Sequence, residues 1–281
     1  MRNLKFFAVA TAGLLAFSSC KKEDDNNVKP GEGNPSNDKG IVSLHFDNVY
    51  KTVGNSIKLA SDAKSDGTIL TSANNQQHKF QTLKYIISDV SLITKDGKEV
   101  QYNHGNPNKG AQIINQAESA SHHFNIPDIP VGEYSKVKFL LGISEEVFKK
   151  GENFQKEFFD KSTKEGMNWK WKNGYRHLRF EGFYGTDFSS AFKLHLGDKV
   201  ASENANSIPG SIAIELPIKD ILKVQKGQTS AIHIKVDLDK YLSGVKKITL
   251  SKTNEDIHSV VGADEFVENI KGGMFSVDHL H

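Results

Sequence analysis

Five runs rich in β-branched and aromatic residues, each bounded by turn-forming residues, constrain this chain more than any other feature. They are IVSLHF (41–46), LKYIISDVSLIT (83–94), YSKVKFLLGI (134–143), SIAIELPI (211–218) and SAIHIKVDLD (230–239). Most alternate apolar with polar, which sends one face of a strand to a core and the other to solvent. Between them lie the turn and loop signals KDGK (95–98), NHGNPNKG (103–110), IPDIPVGEY (126–134), SIPG (207–210) and QKGQ (225–228). Helical patterns are few and short. The best is SEEVFKKGENFQKEFFDK (144–161), with Val147, Phe148, Phe154, Phe158 and Phe159 as its apolar set. No internal repeat or heptad is present. The pattern predicts an all-β fold, an antiparallel, immunoglobulin-like β-sandwich with long decorated loops and few short helices.

The N-terminal end reads as an address. Arg2 and Lys5 precede an apolar run, Phe6 to Phe17, that is too short to span a bilayer, and Ser18-Ser19-Cys20 follows. A lone cysteine after two small residues is the arrangement of a bacterial lipoprotein. Residues 1–19 are therefore expected to be a signal peptide and Cys20 the lipidated residue, attaching the protein to the outer membrane. Residues 20–39 are polar, with Val28 the only aliphatic side chain after Cys20, and read as a flexible tether. Residues 40–281 form the expected sandwich domain. KKEDD (21–25) resembles the surface-export signal of lipoproteins from Bacteroidetes-type bacteria, while a plain solvated spacer would leave the protein facing the periplasm; both remain open.

Charge and motifs exclude several functions. The sequence has 36 Lys+Arg and 34 Asp+Glu; removal of Arg2 and Lys5 with the leader leaves 34 against 34. No basic stripe exists to serve a nucleic acid. Gly-x-Ser-x-Gly, His-Glu-x-x-His, P-loop and dinucleotide fingerprints are all missing, and the lone cysteine is committed to the anchor. The expectation is a binding protein, not an enzyme.

Both tryptophans lie in NWKWKNGYRHLRFEGF (168–183), beside the hairpin signal Asn173-Gly174. A two-residue loop pairs Trp171 with Arg176 and Trp169 with Leu178, and sets Arg176 over an indole. A three-residue loop instead brings His177 beside the indoles. Spacing alone does not choose, and by itself favours a core aromatic pair.

The same segment resembles the W-x-W-x-x-G-Y…L-x-x-E-G block of the MbnP-like copper-binding proteins, the methanobactin-associated periplasmic partner family. Other blocks are similar to it in the same order: LHFDNVYKTVGNSIKL (44–59), FQTLKYIISDVSLI (80–93), IPVGEYSKVKFLLGI (129–143), FKLHLG (192–197) and MFSVDHLH (274–281). One departure is Gly142-Ile143-Ser144, where the family usually has Gly-Val-Asp. The resemblance implies a β-sandwich with a high-affinity copper site built on histidines and, in some relatives, on a tryptophan oxidised to kynurenine by a di-haem enzyme. It also implies a role in copper acquisition, storage or delivery at the cell envelope, with that di-haem enzyme or a TonB-dependent transporter as partner. The competing expectation is a metal-free structural or adhesion-type surface sandwich.

A copper site needs several neutral imidazoles converging on one point. Of the 11 histidines, His279 and His281 share a face if the end of the chain is extended, with Asp278 placed to orient one of them. A frayed terminus is the plain alternative. His195, between Leu194 and Leu196, alone reads as a structural histidine, and the family block raises its standing as a ligand. His45 on the first strand is a third candidate, and His177 a fourth that depends on the hairpin register. Trp169 and Trp171 are the candidates for a modified or site-adjacent aromatic. His122 and His123 point to opposite faces, His233 is expected to be merely exposed, and His78, His104 and His258 receive no role.

Overall fold

The computed structural model describes residues 38–169, 174–198 and 210–281. The leader, Cys20, the expected tether up to residue 37 and Trp171 lie outside the described residues, and Lys39, placed at the end of the tether, already belongs to the first strand. In chain order the strands are β1 (Lys39–Tyr50), β2 (Thr52–Ser56), β3 (Leu70–Thr71), β4 (Gln77–Thr94), β5 (Glu99–Gln101), β6 (Gln112–Asn115) and β7 (His123–Pro130). They continue as β8 (Gly132–Leu141), β9 (Arg176–Tyr184), β10 (Ser190–Gly197), β11 (Ile212–Val224), β12 (Thr229–Asp237), β13 (Asp256–Ile257) and β14 (Phe275–Leu280). One sheet runs β14-β12-β1-β2, with β7 also paired to β1; the other runs β11-β8-β4-β9-β10-β13, with β3, β5 and β6 paired to β4.

Alternation explains how the sheets meet. Leu44, Phe46, Ile232 and Ile234 of the first sheet and Phe80, Leu83, Tyr85, Phe139 and Phe180 of the second are fully or almost fully buried in one shared core. Burying each such side chain contributes about 1.5–3 kcal/mol. Phe46 meets Phe139 edge-on at 5.8 Å, and the buried Tyr85 hydroxyl donates to Asn48 Oδ1 across the sandwich (2.9 Å), so that hydroxyl is satisfied. The expected all-β sandwich is what the chain forms.

Two features depart from the expectation. The sheets are not wholly antiparallel: β1 lies parallel to β12, with Leu44 opposite Ile232, and β10 lies parallel to β13. Parallel neighbours need long connections, so no local turn signal specifies these pairs. The helical pattern at 144–161 is also not one helix. Ser144 caps Glu145–Lys149 by accepting from the Val147 N–H (3.3 Å), Gly151 then breaks the run at φ 90°, and Lys156–Lys164 resumes it. Phe154 falls in the break and is 41% exposed, whereas Val147 and Phe158 pack with Ile86, Ile113, Met167 and Tyr175 against the outer side of the second sheet. Buried Gln155 ties this layer together, donating to the Val147 carbonyl (3.1 Å) and accepting from the Tyr175 hydroxyl (2.9 Å).

Candidate metal centre

The tryptophan hairpin takes neither expected register. Asn168 bridges Tyr175, and the Trp169 backbone N–H donates to the Gly174 carbonyl (3.2 Å), a pairing that matches neither the two-residue nor the three-residue loop. The pairing skips a residue where Leu196 faces Leu178 and Gly197 faces Arg176, so His177 is a bulge. That bulge resets the alternation. Arg176 rests its guanidinium over the Trp169 ring, 5.2 Å from the centroid, a contact worth roughly 0.5–2 kcal/mol. The expected stacking thus occurs, through a different pairing.

Trp169 does not enter the core. Its indole stands against His195 and His258, with ring centroids 6.2 and 5.7 Å away. Gly197 makes the room. It lies two residues after His195, and a Cβ there would sit 2.3 Å from the Tyr175 carbonyl oxygen and 3.3 Å from Trp169 Nε1. The indole N–H is buried and has no hydrogen-bond partner among the described residues.

His195 and His258 face one another through Nδ1, 3.1 Å apart. Each ring has its other nitrogen held by a carboxylate: Glu181 Oε1 lies 2.7 Å from His195 Nε2, and Asp256 Oδ1 lies 2.8 Å from His258 Nε2. A carboxylate on one nitrogen fixes that nitrogen as the N–H and leaves the other as a lone pair. Arg179 grips Glu181 with both Nε and Nη2 (2.9 and 3.0 Å). Burial alone would raise the Glu181 pKa, but the hydrogen bonds from His195 and Arg179 outweigh it and hold the carboxylate well below its usual range. At His195 burial is what wins: it lowers the pKa despite Glu181, so the ring is neutral at physiological pH. β13 brings His258 here by pairing Ile257 with Leu194. His258 sits in a polar stretch whose parallel pairing no local signal reveals.

The other candidates separate. Among the described residues His177 joins no histidine group: it is buried beneath Gly142, its Nε2 3.6 Å from Asp198 Oδ2, with neither ring nitrogen hydrogen-bonded to any of them. His45, His279 and His281 are far from this pair in topology, on the outer face of the first sheet, where they gather with His123 and His233. The single site expected to join His195 with His45, His177, His279 and His281 is therefore corrected. The residues form two groups, and His258, His233 and His123 are members that sequence reasoning missed. His104 hydrogen-bonds Ser91 (2.9 Å) in a cavity of about 620 Å³ also lined by Asp89, Glu99 and Lys138, apart from both groups.

Comparison with known proteins bears on the family. Residues 39–259 match the family model described as MbnP. Among solved structures the chain is similar to MbnP from Methylosinus trichosporium, at 12% identity and a TM-score of 0.47, over 77% of this chain and 82% of that one. No curated protein matches. The matched segment runs from the first strand through β13 and takes in the tryptophan hairpin, His195 and His258. With that match spanning most of its length, the chain belongs to the MbnP family.

Proposed function

We propose that this protein binds copper between His195 and His258, beside Trp169, and serves copper acquisition, storage or delivery at the cell envelope without catalysing a reaction. The observation that carries the reading is the pair of Nδ1 atoms 3.1 Å apart, each on a ring whose Nε2 is already engaged by a carboxylate. Two nitrogens at that spacing are within the span of one ion lying about 2.0–2.1 Å from each. Neutral imidazoles suit copper, and the donor set fits it: two nitrogens, no thiolate and an unpartnered indole N–H at the rim. Copper here is cargo, and what the chain supplies is orientation. Glu181 and Asp256 aim the rings, Arg179 and Arg176 hold Glu181 and the indole, and Trp169 packs its ring against both imidazoles.

Trp169 is also the described tryptophan placed for oxidative modification, which in this reading a di-haem enzyme would perform before or during loading. Anchoring through Cys20 would keep the loaded protein at the outer membrane, within reach of that enzyme or of a TonB-dependent transporter.

Copper titration of the full chain, read by metal content and electron paramagnetic resonance, tests the proposal against the His195→Ala/His258→Ala variant. One tight equivalent with nitrogen couplings, lost in the variant, is expected. Intact mass of the native protein accompanies it, to detect oxidised tryptophan. Absence of tight copper from a protein whose tryptophans carry the expected oxidation, or retention of copper by the double variant, overturns this assignment.

A further inference from the structure

The outer face of the other sheet carries five imidazoles in one row across four strands. In the ladder His45 on β1 is the register partner of both His123 on β7 and His233 on β12, and His233 is the partner of His279 on β14. Ring centroids along the row stand 4.3, 4.6 and 4.1 Å apart, the last pair stacked. The register shifts at Asp278, and His281 then exchanges two backbone hydrogen bonds with Ala231 (2.7 and 3.0 Å). These hold the end of the strand in the sheet, so His281 Nε2 comes 3.1 Å from His279 Nε2.

The rings are aimed. Asp47 Oδ2 lies 2.8 Å from His233 Nδ1 and Asp278 Oδ2 lies 2.6 Å from His279 Nδ1, which assigns the N–H of each ring to Nδ1 and leaves Nε2 as the donor atom. One ring nitrogen from each of His233, His279 and His281 lies within 4.8 Å of the other two. His45 Nδ1, one strand further, is 3.1 Å from His233 Nε2, and its Nε2 is 3.0 Å from the Ser43 hydroxyl, which itself donates to Asn125. Packing does not call for this arrangement, because the inward neighbours Leu44, Phe46, Ile232 and Ile234 supply the core. Coordination uses the neutral rings, at a spacing suited to shared ligation.

We infer that the row is a second metal site, in which His233, His279 and His281 bind a borderline divalent cation of the zinc, nickel or copper(II) class and His45 offers a further nitrogen. All donors are imidazole nitrogens, with no sulfur to favour a softer ion. The site shares no residue with the His195–His258 pair, and it stands whether or not that pair binds copper.

The test is zinc alone, titrated into the full chain free of any added histidine tag, with affinity and metal content measured. Three proteins are compared: the native chain, His279→Ala/His281→Ala, and His195→Ala/His258→Ala. One zinc equivalent is expected for the native chain, weakened at least 100-fold by the first variant and within twofold of native in the second. Since both substituted side chains of the first variant face solvent, its thermal unfolding in chelator should match the native chain; if it does not, His233→Gln on an otherwise intact strand gives the same reading. Absence of zinc binding by the native chain, or zinc binding unchanged by removal of the row's ligands, overturns the inference. Loss of zinc only in the His195/His258 variant would overturn it too, by assigning the ion to the other face.

Discussion

Two groups of histidines in one sandwich use the same device in opposite surroundings. At His195–His258 and at His233–His279 a carboxylate takes one ring nitrogen and leaves the other free, so orientation is supplied by second partners in both. In the first group His195 is buried against an indole and a braced layer of Glu181, Arg179 and Arg176, while His258 beside it is 48% exposed; the second lies on a strand face, with His233 half-buried and His279 41% exposed. Burial is the largest influence lowering the pKa of His195. It is also the largest at His45, where the neighbouring His123 and His233 add to it. Burial thus acts first at both, and crowding by other imidazoles adds to it only in the row. Access to solvent differs at His195 alone, which is buried where His279 is exposed, and an ion held by His195 is expected to exchange more slowly.

The comparison can be broken most directly by removing both ligands of the sheltered pair. His195→Ala/His258→Ala should weaken copper by more than the roughly 10–100-fold that follows loss of a supporting partner, and leave zinc at the row within twofold. Isothermal competition with a chelator of known affinity reads both numbers. If the two metals fall together, the sites are one system and the contrast is lost.

Acid release needs a separate control, because a third kind of histidine lies in the core. His78 is fully buried between Phe80 and Tyr241 and neither ring nitrogen is hydrogen-bonded; the Gln76 backbone comes near and offsets burial only in part, so burial lowers its pKa to about 4. Its folded pKa lies below the unfolded value of 6.5, so the stability it permits is complete above pH 6.5 and lost as pH falls towards 4. The loss amounts to about 3 kcal/mol at most, from about 1.4 kcal/mol per pKa unit. His78→Phe should move acid unfolding to lower pH without changing copper or zinc affinity at pH 7, as followed by circular dichroism across the titration. Unchanged acid unfolding would assign the lability to the metal sites themselves.

Smaller changes sharpen the contrast. Glu181→Gln keeps the shape of the sheltered site but removes the charge that orients His195, and should cost copper roughly 10–100-fold. Asp278→Asn, its counterpart on the open face, should cost zinc about 10-fold, the low end of that range, because water can replace the carboxylate there. Equal losses would mean that shelter adds nothing to orientation. Gly197→Ala tests the roof alone: the added methyl group must displace Tyr175 or Trp169, and should destabilise the fold by about 1–3 kcal/mol while weakening copper less than Glu181→Gln does. Tryptophan fluorescence would report the displaced indole.

The sandwich itself was legible because alternation is local. Leu44, His45 and Phe46 reveal in three residues which way each side chain points, and the core confirms it. The same rule led to His233 being set aside as exposed, which it partly is. What alternation does not contain is the neighbour on the next strand. The β1–β12 pairing joins residues 188 positions apart in parallel, so the meeting of His45 with His233 is a tertiary fact. His258 was invisible for the same reason. The hairpin register failed differently: Asn173-Gly174 promised a tight turn, but Asn168 pairs with Tyr175, which neither expected loop length allows, and the bulge at His177 then corrects the facing of Arg176.

β14 is the outermost strand of its sheet, and an outer strand has one flank without a backbone partner. It also carries His279, with His281 directly after its last residue, and the third donor of the row, His233, is on the strand beside it. An ion seated there is a clasp: it converts the most easily peeled strand of the sandwich into one tied to its neighbour by bonds that do not depend on the ladder. Occupancy of the row would therefore be written in the amide exchange of Phe275 to Leu280, far from any tryptophan, as slower exchange along a single edge.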